Sequence, residues 1–340
     1  MKQSQALSVL LGGKSVFLTG PPGAGKTFVL NEFVKRTTRT GKTVAVTAST
    51  GIAATHIGGT TIHSWSGLGI RDHLGSRDKQ QLAANAKLVK RFNGADVLVI
   101  DEVSMLHGHR LDIVNEVCKL LRKSERPFGG LQVVLVGDLF QLPPVSRGAE
   151  TVDFVHESAA WNELNLQICY ITEQHRQQND GLLELLEAMR GGELESFHEE
   201  LLSKRLGQRP EVAQPVTRLY AHNVDIDTVN QQHLDALSQD SYEYTMDTKG
   251  AAAKVEQLRR SVLAPENLEL KNGAEVMFVA NNPGAGFVNG TRGKVVDFRE
   301  GQPVVELYKS KRNIKVTPHS WKLEEDGRVR AEVAQLPLRL

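Results

Sequence analysis

An α/β fold built around a parallel sheet is what this sequence predicts, and three observations carry the expectation. Short apolar runs rich in β-branched residues recur through the first half: "SVFLTG" (15–20), "TVAVTAS" (43–49), "DVLVIDE" (96–102) and "LQVVLVGD" (131–138). Each is apolar on both faces, as a strand covered by helices on both sides must be. Between them lie stretches with helical periodicity, "FVLNEFVKRTTRTG" and "RLDIVNEVCKLLRKS"; the second sets Leu111, Val114, Val117, Cys118 and Leu121 on one stripe. Finally, the segments able to do chemistry stand where these runs end. Doubly wound sheets bind ligands at the carboxyl ends of their strands.

With 340 residues the chain exceeds one ordinary domain, so two are expected. A second unit begins near "QQNDGLL", with a helix "GLLELLEAMRGG" that closes on a glycine pair. From Asn282 onward the pattern becomes short strands with turn residues, "NGTRGKVVDF", "QPVVELY" and "NIKVTP", which predicts a small antiparallel β module of SH3-like type. Basic and acidic residues nearly balance, 41 against 40, so contact with a polyanion must come from a local site and not from a basic surface. Cys118 and Cys169 lack the spacing of metal ligands and read as buried thiols of a reducing compartment. No apolar run reaches the roughly 20 residues that span a bilayer. The N-terminal stretch also lacks a cleavable signal, so the expected location is cytoplasmic.

The first strand runs into Gly20-Pro21-Pro22-Gly23-Ala24-Gly25-Lys26-Thr27, which fits G-x-x-x-x-G-K-[ST] with a strand before it and a helix after it. Glycines let backbone N–H groups wrap phosphate oxygens, and the helix start adds a positive end. Lys26 is expected to reach the β- and γ-phosphates and Thr27 to hold Mg²⁺. "VLVIDE" ends the third run in two carboxylates. Asp101 is placed to bind Mg²⁺, and Glu102 to orient or deprotonate an attacking water. "VVLVGDLFQLPPV" ends the fourth run, and its Pro-Pro turn holds Gln141 where it can contact a γ-phosphate.

Taken together, the motifs resemble the superfamily-one DNA helicases, and among them the Pif-type (petite integration frequency) family. "LTGPPGAGKT", "TASTGIAATHIGGTTIHSW", "VLVIDEVSML", "VGDLFQLPPV", "ITEQHRQ", "RLYAHN", "LKNGAEVMFVAN" and "GFVNGTRGKVVDF" occur in the family's order. Glu102–Arg122 is similar to the family signature between the Asp-Glu and Gln motifs. The resemblance implies a P-loop NTPase with tandem RecA-like domains. Residues 1–177 would be the ATP-binding motor domain, with a small wedge-like subdomain at about 60–94. Residues 178–282 would be a partial second RecA-like domain, 283–336 the SH3-like module, and 337–340 the start of a remainder. The implied activity is ATP-driven movement on single-stranded DNA from 5′ to 3′, with ATP and Mg²⁺ as cofactors. Forked or structured DNA is the implied partner, and the chain would act as a monomer.

Residue roles follow from the same resemblance. Gln3 lies where the family places an adenine-contacting glutamine, with Gln5 as a competitor. Arg176 matches an arginine that reaches the γ-phosphate; His175 beside it stands where an aromatic residue is more usual. Thr50, Gly51, His63 and Ser64 are the DNA-backbone candidates, since hydroxyls and backbone N–H groups hold phosphates without reading sequence. Trp65 is placed either to stack on a base or to fill the core. The basic run "YKSKRNIKV" either touches DNA or keeps a strand edge soluble. The family continues beyond the point matching Leu340 with two further motifs, so the resemblance implies a truncated copy, a chain completed by another, or a remnant that binds without unwinding. A nucleotide-dependent DNA-binding module and a RecD-like component of a larger complex are the alternative readings.

Overall fold

The computed structural model describes residues 1–69, 73–145, 152–173, 181–208, 218–220, 223–259, 262–282, 284–325 and 328–340. Contacts gather the chain into two compact units, Met1–Leu206 and Gly207–Leu340.

The first unit opens with α1 (Gln3–Leu11), β1 (Val16–Thr19), α2 (Lys26–Arg39), β2 (Val44–Ala48), α3 (Gly51–His56), β3 (Thr60–Thr61) and α4 (Ile62–Ser66). It continues through α5 (Ser76–Ala84), α6 (Ala86–Gly94), β4 (Val97–Asp101), α7 (Gly108–Arg122), β5 (Gln132–Val136), α8 (Ala159–Glu163), β6 (Gln167–Tyr170), α9 (Gly181–Gly191) and α10 (Ser196–Ser203). Its six strands form one sheet in the order β3-β2-β4-β5-β1-β6, and every pairing in it is parallel. The α/β fold with a parallel core is therefore as the sequence predicts.

Alternation along the strands builds two cores, one on each face of the sheet. Leu98 and Ile100 of β4 and Val133 and Leu135 of β5 face one cluster, where α7 lays down Leu111, Val114, Val117, Cys118 and Leu121. Val97, Val99, Val134 and Val136 face the other, with Val29, Leu30 and Phe33 of α2. The stripe predicted on α7 is thus the face it buries. Lys123, in the left-handed region at φ 51°, ends that helix. Between β3 and β4, α5 and α6 turn Leu82, Leu88 and Phe92 into the same core. Both cysteines are free and buried.

The second unit contains α11 (Asn223–Asp235), β7 (Ser241–Thr245), β8 (Asp247–Gly250), α12 (Ala252–Arg259), β9 (Asn267–Lys271), β10 (Glu275–Phe278), β11 (Arg292–Arg299), β12 (Gln302–Leu307), β13 (Asn313–Lys315), β14 (His319–Glu325), β15 (Arg328–Gln335) and β16 (Leu338–Arg339). A five-stranded sheet of order β13-β12-β11-β10-β16 holds the three strands expected after Asn282. Phe278 and Phe287, with ring centroids 4.1 Å apart, stack inside its core. Among the described residues of this unit every strand pairing is antiparallel. A parallel sheet of the kind expected for 178–282 is not among them, and Thr217, Ala221 and His222 of "TRLYAHN" lie outside the described residues. Among the described residues no helix is long and apolar enough to cross a membrane.

Candidate functional site

Three neighbouring strands, β4, β5 and β1, end at the same edge of the sheet, and the turns that follow them make the site. Backbone constraint shapes the first turn. Gly20 sits at φ 146° and a Cβ there would lie 2.5 Å from the Ile171 carbonyl; Gly25, at φ 84°, is the residue from which α2 starts. These conformations and the close approach are open at little cost only to glycine. Lys26 is the first residue of α2, and its Nζ donates to the carbonyls of Gly20 (2.8 Å) and Pro21 (3.2 Å). The loop from Gly20 to Thr27 is thereby wound around its own lysine. Pro22, Gly23 and Ala24 complete the turn, with Ala24 fully buried beneath it.

Gln3 is at this loop and Gln5 is not. The Gln3 side chain donates to the Ala24 carbonyl at 3.0 Å, and its backbone N–H donates to Glu173 at 2.7 Å. Gln5 turns back to accept from the Lys2 backbone N–H at 2.8 Å, capping α1. The structure therefore separates the two glutamines that sequence leaves as competitors.

Asp101, 8% exposed, closes β4. Burial pushes its carboxyl pKa up to about 6, the neighbouring Glu102 charge adds to that, and the Glu102 backbone N–H and Lys26 oppose it. Glu102 adopts φ 50° and ψ 44°, a left-handed conformation that costs a non-glycine residue about 1 kcal/mol or more. The surroundings hold it there: its N–H donates to Asp101 Oδ1 at 2.9 Å, and its carbonyl accepts from the Ser49 hydroxyl at 2.7 Å.

Asp138, at the end of β5 and 1% exposed, is a member of the site that residue-by-residue reading passes over. Arg190 of α9 grips it with two parallel bonds of 2.7 and 2.8 Å. The same carboxylate accepts from the Gln141 side chain at 3.1 Å and the Phe140 N–H at 3.2 Å. Burial works to raise its pKa, but the Arg190 guanidinium, the Gln141 amide and the Phe140 N–H hold it below the ordinary value. Arg190 also lies over the exposed Phe140 ring, 4.4 Å from its centroid. Sequence places Arg190 beyond residue 177, and nothing in "EAMRGG" points back across the 52 positions to Asp138.

Electrostatics gathers these groups. Burial draws the Lys26 pKa below its usual value, against the charges of Asp138, Glu102 and Asp101. Lys26, Asp101, Glu102, Asp138 and, through Asp138, Gln141 thus share one locale. Thr27, exposed in the first turn of α2, stands beside Lys26. Arg176 and His175 lie outside the described residues.

The DNA candidates occupy the far side of the same carboxyl edge. Thr50 follows β2 and its hydroxyl accepts from the Ala53 N–H at 3.2 Å; Gly51 begins α3. His63 and Ser64 belong to α4, just after β3, and Ser64 is exposed. For Trp65 the structure shows the core alternative. It is 7% exposed, packs its ring 4.3 Å from that of Phe92, and belongs to the core on the α7 face. Trp65→Ala is expected to lower stability by about 3–5 kcal/mol, read from a denaturant midpoint; a loss below about 1 kcal/mol would contradict the core assignment.

A glycine-wound lysine loop on β1, a buried aspartate closing β4, and β5 between them define a P-loop NTPase of RecA-like fold. Comparison with known proteins narrows the class. The PIF1-like helicase family matches residues 4–215, and the Pif1 helicase 2B domain matches residues 255–298. The chain is 43% identical over 316 residues to the ATP-dependent DNA helicase Pif1 of Psychrobacter sp., covering 89% of this chain and 47% of that one. Its fold is similar to the Pif1 helicase of Candida albicans, at a TM-score of 0.83 and 33% identity over 99% of this chain and 83% of that one. It is also similar to a Bacteroides Pif1 helicase in complex with ADP-AlF3 and single-stranded DNA, at a TM-score of 0.68 and 26% identity over 100% of this chain and 82% of that one. The chain belongs to the PIF1-like helicase family. It spans about half the length, 47%, of the Psychrobacter relative.

Proposed function

We propose that this chain is the ATP-hydrolysing motor part of a DNA helicase that moves on single-stranded DNA from 5′ to 3′. The observation that carries the reading is the convergence of Lys26, Asp101, Glu102 and Asp138 at the carboxyl edge of one parallel sheet. Gly20 to Thr27 would wrap the phosphates with backbone N–H groups, and Lys26 would exchange its two loop carbonyls for phosphate oxygens. Gln3, bonded to the loop at Ala24, would meet the base. The Thr27 hydroxyl and the buried Asp101 carboxylate are a hard-oxygen donor pair, which suits Mg²⁺. Bound there, Mg²⁺ neutralises charge on the phosphates. Glu102 would take the proton of the attacking water, and Gln141, tethered to Asp138, would sense the terminal phosphate. By family resemblance Arg176 would stabilise the charge that develops on it.

Thr50, Gly51, His63 and Ser64 would hold the DNA backbone along β2 and β3 of the same edge, with single-stranded and forked DNA as substrates. Within this reading 1–177 is the motor domain with its wedge at about 60–94. Residues 178–282 would belong to the second motor domain, and 283–336 would be the small β module. The test is phosphate release from ATP and Mg²⁺ with and without a single-stranded oligonucleotide, followed by unwinding of forks with 5′ or 3′ tails. Stimulated hydrolysis and 5′-tail preference are expected. Equal and negligible rates in all samples overturn the catalytic reading; DNA binding that still follows a non-hydrolysable ATP analogue would then leave a nucleotide-gated binding module.

A further inference from the structure

At the start of α7, away from the phosphate loop, two imidazoles converge on one carboxylate. His107 Nδ1 lies 2.6 Å from Asp153 Oδ1, and His109 Nδ1 lies 2.8 Å from Asp153 Oδ2. One donor atom from each of the three residues falls within 4.8 Å of the others. The site is built and not merely crowded. The His109 backbone N–H donates to Asp153 Oδ2 at 2.7 Å, and the Gly108 N–H donates to the Asp153 carbonyl at 3.0 Å, so the carboxylate is fixed from behind.

His107 carries the decisive geometry. Its Nε2 lies 3.2 Å from the Val145 carbonyl, which anchors the far side of the ring. Its Nδ1 is left facing a carboxylate oxygen 2.6 Å away. The space between two such atoms is bridged by a cation. A proton is one such cation and a metal ion is the other. A ring whose distal N–H is anchored on a backbone carbonyl, leaving the other nitrogen to coordinate, is the usual arrangement of a metal-bound histidine.

We propose that His107, His109 and Asp153 bind a first-row transition-metal dication of the Zn²⁺ type. Two imidazole nitrogens and one carboxylate oxygen are a borderline-soft donor set that prefers Zn²⁺, Co²⁺ or Ni²⁺ to Mg²⁺. Bonds of about 2.0 Å set tetrahedral ligands about 3.3 Å apart, so the imidazole–carboxylate approaches of 2.6 and 2.8 Å open by about half an ångström or more to admit the ion. Side-chain exposures of 23% for His107, 43% for His109 and 39% for Asp153 leave the fourth position to water. The positive end of α7 opposes a cation here, and the Asp153 charge offsets it. A bound ion would tie the residue before α7, its first turn and the segment around Asp153 into one clasp, separate from the Mg²⁺ position proposed at Thr27 and Asp101.

The test is calorimetric titration of ZnCl₂ into the full, chelator-stripped chain without nucleotide, with Co²⁺ absorption as a report of ligand geometry. One Zn²⁺ per chain is expected, not displaced by a large excess of Mg²⁺. Asp153→Asn and His109→Gln should each weaken binding at least about tenfold, the lower end of what even an indirect ligand change costs. Unchanged melting of both variants in chelator shows that they fold. Absence of stoichiometric binding, or equal affinity in the folded variants, overturns the proposal and leaves a hydrogen-bonded imidazole–carboxylate staple.

Discussion

Substitution of Lys26 by alanine is expected to lower ATP hydrolysis by at least about 10²-fold, the scale on which loss of one charge-stabilising donor acts. The reason lies in what surrounds the ammonium. It is bonded to the Gly20 and Pro21 carbonyls, and the carboxylates of Asp138, Glu102 and Asp101 act on it together. A phosphate chain laid in the loop would bring further negative charge into a half-buried space, and Lys26 is the lysine positioned to meet it. Alanine leaves the helix intact, since it is the best helix former. Phosphate release at saturating ATP, with and without single-stranded DNA, reads the effect, and unchanged melting separates it from misfolding. Hydrolysis within about threefold of the parent would sink the assignment of Lys26 to the terminal phosphates.

Arg190→Ala should destabilise the first unit by about 3–5 kcal/mol, because it leaves a buried carboxylate without its cation. Asp138 is 1% exposed, and Arg190 supplies two of its bonds. The pH dependence has a definite sign. In the parent chain Asp138 is held below its ordinary pKa, so its contribution is present above the unfolded value near 3.8 and is lost as pH falls through the lower folded value. In the variant burial dominates and raises the folded pKa above the unfolded one. That carboxyl then favours the fold at low pH and ceases to do so as pH rises. The gap between parent and variant should therefore be widest at neutral pH and narrow toward pH 4, as read by urea denaturation across that range. A gap constant with pH would show that Arg190 stabilises by packing alone. Asp138→Leu added to Arg190→Met should recover much of the loss, since the uncompensated charge is then gone.

How much of this was readable in the sequence follows from burial. The strands β1, β2, β4 and β5 are legible because helices cover both of their faces, so both alternating sets of residues are apolar. The edge strand β6 exposes Ile168 and Tyr170, and β3 has two residues; neither carries that signature. The phosphate loop and the Asp101–Glu102 pair are legible because glycine spacing and strand ends are local properties. The left-handed turn at Glu102 is not, since glutamate has no local preference for it; Asp101 and Ser49 impose it. Gln3 and Gln5 are chemically alike and only the direction of α1 distinguishes them. Trp65 is ambiguous because a large aromatic ring serves a core and a base equally well until its neighbour Phe92 is seen. Arg190 escapes sequence reading altogether, because a guanidinium on a helix gives no hint of which distant carboxylate it will find.

The sharing of one carboxylate among three donors has a mechanical meaning. Asp138 cannot turn toward or away from Gln141 without also loosening or tightening its hold on Arg190 and, through it, the position of α9. A displacement at the tip of β5 is thus passed along a helix by a rigid fork, as a tiller transmits a push, with no loop needing to be remade.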